Sequence, residues 1–473
     1  MSGYITDLEL IVGKDNVISN TTDLTVYEYD GSIDKNRPPA VVLPSDSQQV
    51  INILKYCHRH DINVVGRGSG TGLSGGTISK NGAIQIVFTR MNKILHLDVS
   101  GCSVTVQPGV INLDLDNHVR KFGLRYPPDP SSQRSCSIGG NIAENAGGPH
   151  CLAYGTTTNY VLSIDVVLED GSTMQLGAKS KNCYGYDLRG VFVGSEGTFG
   201  LITAITLKLL PVPEKVGTFL GVFADVESAC GAVSAIIGKG IIPAAMEMLD
   251  KLTIKAVQNV MDSGYPIDAG AVLLIEIEGM EEEVEEMSSD VSACIWESGA
   301  TELKYATDIN EREALWAGRK GALGAMGSLA PNYFLVDGVV PRTKLTDVLR
   351  EVQIIAEKFD IQIANVFHAG DGNLHPCLLF DERIPGALEN ITMAGGEVLK
   401  SCVALGGVLS GEHGIGLEKK EYMPLVFANK DMDAMKKLRD AFAPGNKINP
   451  GKIFPDGEVI TLQSHKSGPE LVI

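Results

Sequence analysis

Residues 64–83, VVGRGSGTGLSGGTISKNGA, carry seven glycines directly behind a β-branched pair. In regular structure each glycine costs roughly 0.5–1 kcal/mol relative to alanine. A chain that concentrates them here needs backbone that no side chain obstructs. GTGLSG (70–75) formally matches G-x-G-x-x-G. A dinucleotide fingerprint needs a strand before these glycines and a helix after them. INVV supplies the strand, but TISKNGAIQIVF turns at Asn81-Gly82 and continues with β-type residues. A nicotinamide-type site is therefore rejected. The loop still suits phosphate, because successive unobstructed N–H groups form an anion-binding nest. Arg67 adds charge there, and Ser69, Thr71 and Ser74 add hydroxyls.

Two more segments have the same character: PPDPSSQRSCSIGGNIAENAGG (127–148) and GSEGTFGLIT (194–203). Three such segments between residues 64 and 203 imply one long ligand threaded through one domain.

The surrounding pattern gives the scaffold. AVVL reads as a strand. A helix follows, with N-caps available at Ser45, Asp46 and Ser47 and an apolar face of Val50, Ile51, Leu54 and Cys57. GAIQIVFTRM, KILHLDVSG and SVTVQPGV read as strands, and YVLSIDVVLEDGSTMQL as a hairpin turning at Asp170-Gly171. GLITAITLKLLPVPEK closes on Pro211 and Pro213, which places a domain boundary there: 1–213 and 214–473. Beyond it strands (TFLGVFA, AVLLIEIEG) alternate with helices, an α+β rhythm. MEEEVEEM (280–287) reads as a solvated acidic face.

The formal charge of −18 argues against nucleic acid and anionic membrane surfaces as partners. Nine widely spaced cysteines without a CxxC fit a reduced chain that holds no iron–sulfur cluster. The N-terminal stretch carries Asp7 and Glu9 and lacks a basic region, so it does not read as a signal peptide. No apolar run reaches the ~18 residues of a membrane span. The expectation is a cytoplasmic protein, able to sit at the membrane periphery through a partner.

HAGDGNLHP (368–376) and SGEHGIG (410–416) carry a second chemistry. Asp371-Gly372 signals a turn that lets His368 and His375 converge. Glu412 adds a carboxylate. Two imidazoles, a carboxylate and open positions suit a catalytic divalent metal with N/O ligands. Zn²⁺ is the first choice, with Mn²⁺, Fe²⁺ or Co²⁺ as alternatives.

Taken in order, VVGRGSGTGLSGG, PPDPSS…SIGGNIAENAGG, VFVGSEGTFGLIT, HAGDGNLHP, SGEHGIG and NPGKIFP resemble the FAD-dependent D-2-hydroxyacid dehydrogenases of the vanillyl-alcohol-oxidase-like superfamily. Within that family the likeness is to the FAD subunits of bacterial glycolate oxidases and to D-lactate dehydrogenases. It runs from about residue 38 to 455. The resemblance implies an α+β fold: a two-subdomain FAD-binding domain, then a cap domain with an antiparallel sheet and a C-terminal segment returning to the flavin domain. It implies noncovalent FAD, despite His150, with the pyrophosphate on residues 66–72: Arg67, Gly68, Ser69, Gly70, Thr71 and Gly72, near Ser74. Pro128, Asp129, Ser132, Ser137, Gly140, Asn141, Asn145, Gly147, Gly197, Gly200 and Ile202 would line the rest. Ala153 stands where relatives often carry Lys.

The resemblance also implies His368, His375 and Glu412 as metal ligands. The expected reaction oxidises a 2-hydroxy acid to the 2-oxo acid, with His413 as base and hydride passing to flavin N5. Arg319 in ALWAGRKGALGAMG matches the family's carboxylate-binding Arg. Relatives acting on larger diacids, such as 2-hydroxyglutarate, carry a Lys where Leu335 stands and an Asn where Cys377 stands. Both departures favour glycolate or D-lactate. The electrons then need an acceptor: a partner subunit, electron-transfer flavoprotein, cytochrome or quinone. Two rivals remain. One is a flavin-bound electron-transfer subunit without turnover, against which the intact histidines speak. The other is a metal-free aldonolactone or alcohol oxidase of the same superfamily.

Overall fold

The computed structural model describes residues 3–178, 185–306 and 308–457; Cys183 lies outside them. The strands Val41–Val42 and Val64–Arg67 flank Ile84–Val87, and both run parallel to it. The helix Ser47–Arg59 makes the crossover. Asp46 caps it by accepting the Gln49 N–H at 2.9 Å. Its buried face is Val50, Ile53, Leu54 and Cys57, packed against Val42, Val64, Ile84 and Ile86. At 3.6 residues per turn Ile53 belongs on this face, and Ile51, expected there, is only half-buried. The glycine loop leaves the end of Val64–Arg67, and no α-helix follows it before Asn112–Arg120.

A second sheet is antiparallel throughout, in the order Ile94–Asp98, Ser103–Val106, Leu201–Lys208, Val161–Val167, Thr173–Gly177. Leu201–Lys208 lies at its centre, so the third glycine segment is delivered at the head of a buried strand. The second segment opens the helix Ile138–Glu144, where Ser137 Oγ accepts the Gly140 N–H. Asn145 ends that helix in the left-handed region, at φ 53°.

The C-terminal half is built on a nine-stranded antiparallel sheet. Successive side chains of a strand point to opposite faces, and here each face has its own core. Met246, Met248, Leu273, Ile275 and Phe367 pack with the helices Val226–Gly238 and Glu281–Glu297. Ala245, Leu249, Val272, Leu274 and Val366 pack with the helices Lys251–Val260 and Ile309–Ala325. The same alternation puts Glu247, Glu276 and His368 on the second face. Glu247 stands directly across from His368 in the register of their strands. A charged group in such a strand must be paired, because burying it alone costs far more than the ~1.5–3 kcal/mol gained from an apolar neighbour.

The C-terminal segment returns to the N-terminal half. Ile448 pairs with Val64, and Asn449 Nδ2 donates to the carbonyls of Gly76 and Glu196 at 3.0 and 2.7 Å. The eight cysteines among the described residues are all free. No helix among these residues is long and apolar enough to cross a membrane.

Candidate active site

A cleft of two connected chambers lies between the glycine segments and the second face of the large sheet. The larger chamber, about 300 Å³, is lined on one side by Gly68–Leu73, Ser132, Ser137, Gly140 and Asn141. On the other stand Arg319, Lys320, His375, Glu412 and His413. The smaller, about 80 Å³, is lined by Arg67, Gly197, Gly200 and Ile202 among others.

Five residues expected at the cofactor lie behind these walls. Ser74 is fully buried and its carbonyl accepts the Leu417 N–H. Pro128 O accepts from Asn112 Nδ2, and Asn145 Oδ1 from the Thr158 N–H. Asp129 binds His150. Gly147 packs on Glu412, where an added Cβ would come within 2.6 Å of Oε2. Arg67 braces the loop from beneath, with Nη1 donating to Tyr29 O and Thr77 Oγ1. The chain fits a long dinucleotide: two chambers in series, walls of bare backbone, and a buried Ser195 Oγ in the smaller chamber with no hydrogen-bond partner.

His368, His375 and Glu412 converge. Each Nε2 lies 3.2 Å from Glu412 Oε1, and one ligand atom from each residue fits within a 4.8 Å cluster. His368 Nδ1 is held by Glu247 Oε1 at 2.7 Å, which turns Nε2 toward Glu412. A carboxylate behind an imidazole is the usual support of a metal-binding histidine. His375 Nδ1 is buried and has no partner. This donor set fits a borderline divalent cation.

Asp337, Ser410 and the loop after it form the support that sequence reasoning missed. Asp337 accepts from Ser410 Oγ, from the N–H groups of Gly411, Glu412 and His413, and from Lys419 Nζ. It thereby pins the loop that carries Glu412 and His413. Burial alone would raise the Asp337 carboxyl, but the Lys419 ammonium leads the groups that outweigh it and hold it well below the usual range. Burial pushes the His413 imidazole down to about 4, Asp337 offsetting this only in part, so the ring is neutral at neutral pH.

Arg319 is buried, and its Nε and Nη2 are committed to Glu247 Oε2 at 2.6 and 2.5 Å. It still lines the larger chamber. Glu247 thus joins the two functional groups, holding Arg319 with one oxygen and His368 with the other.

His150 bridges the halves of the chain. Nδ1 meets Asp129 Oδ2 at 2.8 Å and Nε2 meets Glu276 Oε1 at 3.1 Å. Glu276 also accepts from Arg312, Trp316 and Thr218. Burial disfavours the imidazolium, yet Asp129 and Glu276 outweigh it and raise the pKa to about 10. The folded protein therefore binds a proton that the unfolded chain releases near pH 6.5. This stabilisation is complete below about pH 6.5 and is lost as pH rises toward 10. In denaturant unfolding at pH 7 and pH 10, His150→Gln should show a smaller fall in stability than the wild type.

Comparison with known proteins identifies the family. Two family profiles match, "FAD binding domain" over residues 38–177 and "FAD linked oxidases, C-terminal domain" over residues 212–453. The chain is 44% identical to the glycolate oxidase subunit GlcD of Escherichia coli K12, over 93% of this chain and 88% of that one. It is 33% identical to a D-lactate dehydrogenase of Anaerostipes hadrus, over 89% and 90%. The solved structure of a 4-ethylphenol oxidase from Gulosibacter chungangensis superposes with TM-score 0.79 at 17% identity, covering 96% of this chain and 97% of that one, which shows a shared fold. The paired cores, the backbone-walled cleft and these relatives lead to one conclusion: the chain belongs to the FAD-linked oxidases, in the family of FAD-dependent 2-hydroxyacid dehydrogenases.

Proposed function

We propose that the protein oxidises a small D-2-hydroxy acid, glycolate or D-lactate, to the 2-oxo acid and passes the electrons to a partner acceptor. FAD would lie along the glycine segments, held noncovalently. A divalent cation, Zn²⁺ first, would be held by His368, His375 and Glu412. The observation that carries this reading is the convergence of His375, His413, Glu412 and Arg319 on the larger chamber, opposite the glycine loop, with His368 clustered on His375 and Glu412.

FAD held along the glycine segments would supply the hydride acceptor, and a cation held by His368, His375 and Glu412 would supply Lewis-acid polarisation that lowers the pKa of the substrate hydroxyl. The remaining work falls to the chain. His413, kept neutral by burial, accepts the hydroxyl proton. An imidazole of such low basicity is a poor base toward a free alcohol, so the reading needs that acidification. Glu247 fixes the plane of Arg319, leaving the Nη1 edge to meet the substrate carboxylate. His150 supports noncovalent attachment, since both its ring nitrogens are already engaged.

Leu335 lines the larger chamber and Cys377 lies directly across from it, which leaves no cation at the positions where diacid-using relatives carry Lys and Asn. Lys320 at the same chamber favours a second reading, a 2-hydroxy diacid such as 2-hydroxyglutarate. Anaerobic addition of single acids separates them. Glycolate or D-lactate should bleach the oxidised-flavin absorption within one turnover, and L-lactate should not. Bleaching by 2-hydroxyglutarate in preference to both would transfer the assignment to the diacid. No bleaching by any acid would sink the dehydrogenase reading.

A further inference from the structure

The two chambers of the cleft share six residues: Gly68, Gly76, Thr77, Ser137, Gly140 and Glu144. Five are small. The sixth is a carboxyl at the junction of the two chambers, in the wall of a path suited to a polyanionic dinucleotide, and Glu196 lines the smaller chamber beside it. Glu144 ends the helix Ile138–Glu144, and its Oε2 is buried with no hydrogen-bond partner.

Its neighbour explains its state. Glu144 and Glu196 both press on Gly414, where an added Cβ would meet Glu144 Oε2 at 2.5 Å and Glu196 Oε1 at 3.0 Å. Glu196 accepts the Ile415 N–H on Oε1 and the Gly416 N–H on Oε2, each at 2.7 Å. Two adjacent buried carboxyls do not both ionise at neutral pH, and the proton stays on the one without donors. Burial, then Glu196 and Asp30, raise Glu144 well above the usual range. Lys452 and Lys419 offset this only in part. Lys419 is committed to Asp337 and the Gly414 carbonyl, and Lys452 to Ile78 O and Asn449 Oδ1. What remains is a protonated carboxyl beside Glu196 in the wall of the cofactor path, its buried Oε2 without a hydrogen-bond partner.

We propose that Glu144 is a cofactor-binding residue whose carboxyl O–H donates a hydrogen bond to an acceptor atom of the FAD between the two chambers. The inference rests on the FAD reading of the cleft. It differs from a merely structural role in its readout, because a carboxyl that only packed beside Glu196 would leave FAD affinity and its own C=O band unchanged on loading.

The test is titration of flavin-free protein with FAD, followed by fluorescence, for the wild type, Glu144→Gln and Glu144→Ala. Glutamine keeps a neutral donor and should bind FAD within about threefold of wild type. Alanine should bind about tenfold more weakly, the loss expected for one hydrogen bond of about 1.4 kcal/mol. The infrared difference spectrum between flavin-free and FAD-loaded wild type should show a protonated-carboxyl C=O band that shifts to lower frequency on loading and is missing in Glu144→Gln. Unchanged affinity in Glu144→Ala, an equal loss in both variants, or no such band would overturn the proposal. Failure of the wild type itself to bind FAD would instead overturn the cofactor reading.

Discussion

His413→Ala lowers the rate of flavin reduction by roughly 10²–10⁴-fold, the usual contribution of a positioned base, while FAD and metal stay bound. The structure explains why the two effects separate. The loop is held through backbone, the His413 N–H donating to Asp337 Oδ2 at 3.0 Å, so trimming the side chain leaves Glu412 in place. The ring makes few other commitments. It stacks on His375 with centroids 4.8 Å apart and lies 3.9 Å from Asp337 Oδ2. Anaerobic stopped-flow reduction of the metal- and FAD-loaded variant checks this. A rate equal to wild type would remove His413 from the chemistry.

Glu247→Ala should act on stability and the metal together. Glu247 is fully buried, with Arg319 on one oxygen and His368 on the other. Replacing a buried ion pair by apolar residues is often harmless, but removing one partner leaves a buried charge uncompensated, at about 3–5 kcal/mol. Here the stranded group is the Arg319 guanidinium. Loss of the carboxylate behind His368 also frees its ring, which should weaken metal binding by about 10–100-fold. Denaturant unfolding and competitive metal titration measure the two losses. A variant within about 1 kcal/mol of wild type and with unchanged metal affinity would contradict the role given to Glu247.

The residues behind these predictions differ in how readily the sequence discloses them. The glycine segments and the two histidine motifs are visible because their chemistry is local: bare backbone, or imidazoles seven residues apart across an Asp-Gly turn. Glu247, Glu276 and Asp337 are not visible in that way. Each is one acid in an apolar run, PAAMEMLD, AVLLIEIEG or FLVDGVVP. Burial says that such an acid must have a partner, yet the partner is set by strand register. Glu247 meets His368 across 121 residues of sequence, and no periodicity gives that pairing. Small-residue segments also mislead in detail. Asp129 and Asn145 sit among cleft-lining neighbours but turn back into the protein, to His150 and Thr158. Glu144, unremarked among small residues, occupies the junction of the chambers. The face of Ser47–Arg59 shows the same limit on a smaller scale, where a shift of two residues exchanges Ile51 for Ile53.

The most direct measurement is metal analysis of the purified enzyme alongside its activity, followed by anomalous diffraction at the absorption edge of whatever metal is found. The account predicts about one divalent ion per chain, an anomalous peak shared by His368, His375 and Glu412 beside the flavin ring, and loss of 2-hydroxy acid oxidation on chelation with recovery on adding the ion back. Fully active enzyme that contains no metal would contradict it.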